Sequence, residues 1–336
     1  MATKKPARGR VALPGISSRA WEHPADRGAL VALRKLKGFD SLLKAFNSLL
    51  DERQVRLLFL GSAVRVSERQ FPELHRTLAE VGSALDAATL PEMYVIADPV
   101  LNSMTVGMSR PIICLNSALV DLLDEDELRF VVGHELGHAL SGHAVYRTLL
   151  IRLLALSGVL TSVPGGAVGL RVITAALMEW SRKSELSADR AGLLAAQDPA
   201  VATRVHMKLA SGGHLESLDI TSFLEQGTEY TETEDLRDSV LKLMMTETRS
   251  HPFAVVRARE LRTWVDSGEY TTILGGDYPH REDDATAGLS LAAQEAASSY
   301  SDAFRRTQDA LGRLVHDVAG LVGSAMIWID DKLRRE

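Results

Sequence analysis

The chain has 336 residues, 46% of them hydrophobic, which is enough for one large domain or two ordinary ones. Its formal net charge of −6 argues against nucleic acid as a main partner, because phosphate binding requires a basic surface. The single cysteine, Cys114, excludes an internal disulfide and fits a reducing, cytoplasmic environment. Its apolar surroundings predict a buried small hydrophobe rather than a reactive thiol.

The N-terminal segment, residues 1–20, is predicted to be a disordered basic tail. No apolar run of signal-peptide length follows its basic residues, so we predict no secretory signal. Helical periodicity begins near Asp26 and resumes over residues 41–50. Pro72 is predicted to open a further helix that ends near Leu85.

Short apolar runs between residues 93 and 115 predict a small antiparallel sheet. Turn-forming residues separate them. The runs are Tyr94–Ala97, Met104–Val106 and Ile112–Leu115. An edge strand beside the helix that follows would let an extended peptide add as another strand, held by main-chain hydrogen bonds.

Residues 125–147 are predicted to form a helix that contains His-Glu-x-x-His, as His134, Glu135 and His138. Asp124 is the predicted N-cap, and acidic residues fill the first turn. Residues four apart on a helix share one face, so both imidazoles can bind one ion. Two neutral imidazoles suit a tetrahedral zinc, and Glu135 is placed to activate a water molecule.

The surroundings of the motif indicate a buried helix rather than a surface helix with unrelated histidines. One flank of the segment is apolar through Leu128, Val131 and Val132. Gly133 and Gly137 each cost about 1 kcal/mol against alanine in a helix, which predicts close approach of another segment or of substrate. On a continuous helix His143 would lie about 140° around from His138, so we predict no catalytic role for it.

A third metal ligand is predicted from Glu185 and Asp189, which lie four residues apart. One carboxylate can bind the metal while the other accepts a hydrogen bond from a ligating imidazole. Residues 138–190 are predicted to form a helical hairpin around a Val-Pro-Gly-Gly turn at 163–166. Two arms of similar length would return Glu185 to the level of the histidines.

The tip of this hairpin is unusually apolar, because residues 153–170 contain no charge. Three interpretations remain open: a tip covered by protein, a finger in the lipid interface, and part of a membrane span. A single straight span would be broken in its middle by Pro164 and two glycines. A protease with several membrane spans is therefore not expected, whereas peripheral membrane contact stays open.

The C-terminal part, residues 276–336, is predicted to be a linker followed by an amphipathic helix. The apolar stripe of that helix runs from Leu311 to Ile329 and ends in basic residues. It could pack on the core, pair with a second subunit or lie on a membrane. The sequence does not decide the oligomeric state.

Three motifs carry a family resemblance: HELGH, then ELSAD, then HPFAVVR. In this order they resemble the motifs of the HtpX and CAAX-prenyl-protease family of zinc metallopeptidases, over about residues 21–264. The resemblance implies a zincin-like domain, here residues 21–275, that binds Zn²⁺ through His134, His138 and Glu185. It also implies that Glu135 is the general base, which leaves Asp189 to orient a ligand.

The resemblance implies further roles outside the metal ligands. It places Asn102 on a substrate-facing edge strand, although the family usually has alanine next and this chain has Ser103. It gives His251 and Arg257 the task of steadying the scissile carbonyl and the carboxylates of the site. The alternatives are that Asn102 is a turn residue, that His251 caps a helix and that Arg257 makes an ordinary ion pair.

Together these patterns predict a mainly α-helical α+β protein that is a zinc-dependent endopeptidase. Its substrates would be proteins or peptides in quality control, with prenyl-peptides as an option from the resemblance. The rival is a non-catalytic, zinc-stabilised binding module for misfolded or membrane-associated partners. We favour the enzyme, because Glu135 would add nothing to a structural zinc site and such sites usually have four protein ligands, not three.

Overall fold

The computed structural model describes residues 9–35, 39, 43, 52–155, 166–232 and 253–305. The predicted α+β, mainly helical class is confirmed. The helices are α1 (Pro24–Lys35), α2 (Glu52–Ser62), α3 (Pro72–Ala84), α4 (Ser117–Leu122), α5 (Glu125–Leu140), α6 (His143–Ala155), α7 (Gly166–Ala196), α8 (Pro199–Ser211), α9 (Ile220–Glu232), α10 (Ala254–Asp266), α11 (Glu269–Leu274) and α12 (Leu291–Arg305). The strands are β1 (Val64–Arg65), β2 (Glu92–Ile96), β3 (Ser103–Val106) and β4 (Ile112–Asn116).

The four strands form one mixed sheet in the order β1-β2-β4-β3. β2 and β4 are parallel, with Tyr94 opposite Cys114, whereas the other two pairs are antiparallel. The prediction of an antiparallel sheet is wrong for this central pair. The reason is that β3 and β4 form a hairpin, turned at Gly107 with φ of 115°, which inserts its second strand beside β2. β3 is thereby left at the edge of the sheet.

Helix α5 begins as predicted and ends earlier than predicted. The Asp124 side chain accepts from the Glu127 backbone N–H while Glu127 reaches back to the Asp124 N–H, a complete capping box. The helix ends at Leu140, and Gly142 takes a left-handed φ of 71°. The predicted continuous helix over 125–147 is therefore interrupted at Ser141 and Gly142, and residues 143–147 belong to α6.

The two glycines of the motif helix lie against α7. A Cβ at Gly133 would be 2.5 Å from the Cβ of Ala195, and one at Gly137 would be 2.5 Å from that of Ala191. Only glycine allows this approach, and the small residues of α7 complete it. The predicted close approach is confirmed, and the approaching segment is the helix that contains Glu185.

Two hydrophobic clusters meet along α7. The larger one lies between the sheet, α5, α8 and the C-terminal half of α7, and includes Phe130, Leu193 and Trp264. The smaller one joins α1, α6 and the preceding part of α7 through Tyr146 and Trp180. The metal motif lies where the two clusters adjoin, so its polar groups are enclosed by apolar packing on both sides.

Both ends of the described chain pack against the rest of the structure. Leu13 and Ile16 are fully buried, and the Ser17 N–H donates to the carbonyl oxygen of Pro279 at 2.9 Å. Helix α12 lies on α1, where a Cβ at Gly28 would meet Ala296 at 2.4 Å. The predicted disordered tail is therefore wrong for residues 9–20, because apolar side chains of this segment are buried. Helix α12, in which Ala293 and Ala297 are buried, begins at Leu291, before the predicted amphipathic stripe.

Several predicted features lie outside the described residues: the hairpin turn at 163–166, most of the apolar tip, and the amphipathic stripe that begins at Leu311. Among the described helices, none is both long and apolar enough to cross a membrane.

Candidate metal centre

Three side chains from α5 and α7 meet in one buried cluster. The Nε2 atoms of His134 and His138 are 3.2 Å apart. Glu185 completes the triangle, with Oε2 at 3.4 Å from His134 and Oε1 at 3.3 Å from His138. All three residues are buried, and among the described residues this is the group that could hold a metal ion. The predicted return of Glu185 to the level of the histidines is confirmed.

These separations fit one small ion. Nitrogen and oxygen atoms that bind zinc tetrahedrally at 2.0–2.2 Å lie about 3.4 Å from one another. The Nε2–Nε2 distance of 3.2 Å is close to that size, and so are the distances of 3.4 and 3.3 Å from the two rings to Glu185, which end on different carboxylate oxygens. The two imidazoles and the Glu185 carboxylate are therefore close enough together to share one metal ion.

His134 is oriented from behind by Asp189. Its Nδ1 lies 2.9 Å from Oδ1 of Asp189, which leaves Nε2 to face the cluster. Burial lowers the pKa of His134, but the hydrogen bonds to Asp189 and Glu185 outweigh it and raise the pKa to about 9. A metal binding here would therefore displace a proton from this ring.

Arg257 holds Asp189 in turn. The guanidinium donates from Nε to Oδ2 at 2.7 Å and from Nη2 to Oδ1 at 2.5 Å, and its Nη1 lies 3.3 Å from Oε2 of Glu185. Burial raises the pKa of Asp189, but Arg257 and His206 more than offset it, so the pKa falls below its ordinary value. Arg257 is thus placed at the carboxylates of the site, one of its two predicted tasks.

His138 is oriented by a different chain of contacts. Its Nδ1 lies 3.0 Å from Nδ1 of His143, whose Nε2 lies 3.0 Å from Oδ2 of Asp26. The Ser187 hydroxyl donates to the same oxygen at 2.6 Å. If His143 donates to Asp26, its Nδ1 accepts from His138, and the lone pair of His138 then lies on Nε2, which faces the cluster.

Glu135 faces β3 through both carboxylate oxygens. The Ser103 hydroxyl donates to Oε1 at 2.6 Å, and the Thr105 hydroxyl donates to Oε2 at 2.6 Å. Ser103 and Thr105 are two residues apart on one strand and therefore share a face. Both are buried, so these charge-assisted bonds are protected from water.

Of the remaining predicted residues, one can be located. Asn102 directly precedes the edge strand β3, and its carbonyl oxygen accepts from the Asn116 N–H at 3.0 Å. His251 lies outside the described residues.

Other residues at the cluster were not predicted: Asp26, Ser103 and Thr105 as partners, His143, Arg147 and His206. A continuous helix would turn His143 away from His138, but the break at Gly142 lets the two rings meet. His206 is fully buried with its Nε2 3.6 Å from Asp189, although no spacing in the sequence connects the two.

A histidine pair on one helix, a glutamate between them and a carboxylate returned by a second helix define a metallopeptidase. Comparison with known proteins gives the family: the model of peptidase family M48 matches residues 68–265, and the chain belongs to this family. The predicted recognition and the predicted enzyme class are thereby confirmed. Peptidases of this family depend on a metal and act on proteins.

The relatives extend this assignment. The plastoglobule-localized metallopeptidase 48, chloroplastic, of Arabidopsis thaliana is 35% identical over 259 residues, which is 76% of this chain and 74% of the relative. A protease HtpX homolog of Helicobacter pylori is 38% identical over 68 residues, 20% of this chain and 22% of the relative. One from Kineococcus radiotolerans is 34% identical over 102 residues, 29% of this chain and 33% of the relative. No solved structure is significantly similar to the chain.

Proposed function

We propose that the chain is a zinc-dependent endopeptidase that hydrolyses peptide bonds in unfolded or damaged proteins. One observation carries the proposal: the Nε2 atoms of His134 and His138 are 3.2 Å apart, and each lies within 3.4 Å of a carboxylate oxygen of Glu185. Glu135 is on the same helix as the two histidines. Two imidazoles and one carboxylate form a donor set of catalytic zinc sites, which keep a fourth position for water or substrate.

The ion would be held by Nε2 of His134, Nε2 of His138 and the carboxylate of Glu185. When bound, zinc polarises the scissile carbonyl and lowers the pKa of water. Asp189 and the His143–Asp26 pair fix the two rings from behind, so that each presents Nε2 to the ion.

Glu135 is the proposed general base. It accepts the proton of the attacking water and then delivers it to the leaving amine. Ser103 and Thr105 fix its carboxylate through one hydroxyl on each oxygen, so they act as positioning residues. A base held by two buried donors loses little orientational freedom during the reaction.

Edge strand β3 is the proposed docking site for the substrate. It lies at the side of the sheet nearest α5, and a peptide that pairs with it would pass beside Glu135. Main-chain pairing makes little demand on substrate side chains, which suits a protease of unfolded proteins. We assign Asn102 to alignment of this strand, Arg257 to the carboxylates, and His251 to the scissile carbonyl.

We propose a cytoplasmic protein that touches membrane peripherally through residues 153–170. In support, Ile151, just before this uncharged stretch, and Leu154, within it, are 47% and 43% exposed. The Arabidopsis relative is plastoglobule-localized. Flotation with anionic and neutral liposomes tests this point: the intact chain should float, and Leu154→Glu should remain at the bottom.

The decisive experiment compares metal content and casein hydrolysis in two variants. Glu135→Gln should keep zinc and lose at least a hundredfold in turnover, the usual contribution of a general base. His134→Ala should lose both zinc and turnover. Glu125→Gln, an exposed change in the first turn of α5, serves as the matched control.

Retained turnover in Glu135→Gln would refute the proposal. Zinc-dependent capture of unfolded casein by the unaltered chain, without cleavage, would favour the binding module.

A further inference from the structure

Arg147 of α6 reaches into the ligand cluster, and no motif in the sequence marks it. Its Nη1 lies 2.6 Å from Nε2 of His138 and 3.0 Å from Oε1 of Glu185. The side chain is 7% exposed, so this contact is made away from solvent. Arg147 thus contacts two of the three proposed metal ligands through a single nitrogen.

The contact on His138 uses the atom that a metal would need. A neutral imidazole has one lone pair, on whichever ring nitrogen carries no proton. Arg147 can only donate, so its contact with Nε2 of His138 places the lone pair on Nε2, and Nδ1 is then the donor to His143. Arg147 is always a donor, and it donates into this lone pair at 2.6 Å. A metal and the guanidinium therefore exclude each other at His138.

The second contact, on Glu185, adds a positive charge where one is already present. Oε2 of Glu185 lies 3.3 Å from Nη1 of Arg257, and Arg257 is anchored by two hydrogen bonds to Asp189. Arg257 thus already supplies a cation to this carboxylate. Arg147 takes the other oxygen, Oε1, which is the one that faces His138.

The two arginines therefore differ in what they do to a metal. Arg257 stands behind the ligands and pairs mainly with Asp189, whereas Arg147 stands among them. A cation held within a few ångströms of a divalent ion in a buried site opposes its binding strongly. The same cation stabilises Glu185 and His138 against each other as long as it occupies the cluster.

We propose that Arg147 is an internal cation that competes with the metal for His138 and Glu185. The metal then binds only when the guanidinium leaves the cluster, and Arg147 sets the zinc concentration at which the site loads. The inference rests on the proposed metal site, but it does not depend on peptide hydrolysis.

The test measures zinc affinity of the full chain by competition with a chromophoric chelator. Arg147→Met should bind zinc at least tenfold more tightly than the unaltered chain, and Arg147→Lys should fall between the two. Arg152→Met, further along the same helix, makes the same change in net charge and should leave the affinity unchanged. Equal or weaker zinc binding by Arg147→Met would overturn the proposal, because Arg147 would then assist the ligands rather than compete.

Thermal unfolding supplies the second readout. In excess chelator Arg147→Met should unfold at a lower temperature, because Glu185 loses a buried partner, and zinc should raise its midpoint by more than it raises that of the unaltered chain. Arg147→Gln keeps N–H donors without the charge and replaces the Met variant if that one does not fold. If the unaltered chain binds no zinc, the metal site itself fails; if zinc binds equally with and without Arg147, only this inference fails.

Discussion

The two histidines of the cluster, His134 and His138, lie one turn apart on α5, yet the residues that support them differ. His134 is backed by Asp189, which is itself clamped by Arg257 through two hydrogen bonds. His138 is backed by a second imidazole, His143, and only through it by the carboxylate of Asp26. The His134 ring is therefore held by a carboxylate in direct contact, whereas the His138 ring reaches a carboxylate only through the neighbouring imidazole of His143.

The difference shows in the protonation of the two rings. The contact with Asp189 helps raise the pKa of His134 to about 9. Burial, together with Arg147, lowers the pKa of His138 well below its ordinary value. A metal that binds here would displace a proton from the first ring, whereas the second ring is already neutral and lies 2.6 Å from the Arg147 guanidinium. The two histidines would therefore oppose metal binding in different ways, one by its proton and the other by its contact with Arg147.

A substitution at Asp189, which supports His134, should have the largest effect on the free energy of unfolding and on metal affinity. Asp189→Asn removes the charge that compensates Arg257, a residue only 5% exposed. Removing one partner of a buried ion pair costs about 3–5 kcal/mol, and loss of an orienting carboxylate costs 10–100-fold in metal affinity. Urea unfolding and chelator competition measure both. Asp266→Asn, an exposed partner of Arg262, is the control, and a stability loss no greater than that of the control would contradict the assignment.

A substitution at Asp26, which supports His138 through His143, should reduce stability and zinc affinity less than Asp189→Asn does. Asp26→Asn keeps the shape of the side chain and weakens the contacts to His143 and Ser187, for a loss of about 2 kcal/mol by urea unfolding. Zinc affinity should fall by about tenfold, because His143 still contacts the ligating ring. The comparison fails if Asp26→Asn lowers zinc affinity more than Asp189→Asn does.

A third pair of variants separates the base from the metal ligands. Thr105→Val and Ser103→Ala each remove one hydroxyl from Glu135 without touching a ligand. Each should lower kcat by about tenfold, which corresponds to about 1.4 kcal/mol, with KM and zinc content unchanged. Thr105→Ser restores the hydroxyl and should recover most of kcat. A loss of zinc in Thr105→Val would show that β3 supports the metal rather than the base.

Local patterns in the sequence were enough to predict the His134 side of the site. The His-Glu-x-x-His spacing, the N-cap at Asp124 and the glycines at 133 and 137 each depend on one helix, and the structure agrees on all of them. Glu185 required one assumption about the length of a hairpin. The carboxylate four residues later then followed from helix periodicity.

The His138 side could not be predicted in the same way. His138 is supported through the contact between Asp26 and His143, which lie 117 residues apart in the sequence, and only tertiary packing decides that contact. The turn at Gly142 was the missing signal, because an isolated glycine is tolerated within a predicted helix. The parallel pairing of β2 and β4 escaped prediction for a related reason, since strand order depends on how a hairpin docks and not on its own residues.

The smallest expected effect concerns His206, a further neighbour of Asp189. Burial, which outweighs the attraction of Asp189, lowers the pKa of His206 to about 4. Between that value and the unfolded pKa of about 6.5, the unfolded chain binds a proton that the folded chain refuses, so stability falls as pH falls. From pH 7.5 to 5.5 this residue should remove about 1 kcal/mol of stability. His206→Leu should make the pH dependence of urea unfolding shallower by that amount, whereas His214→Leu, an exposed control, should not. If the pH dependence of the free energy of unfolding is unchanged in His206→Leu, His206 is already protonated in the folded chain. Asp189 would then have two cations beside it, Arg257 and His206.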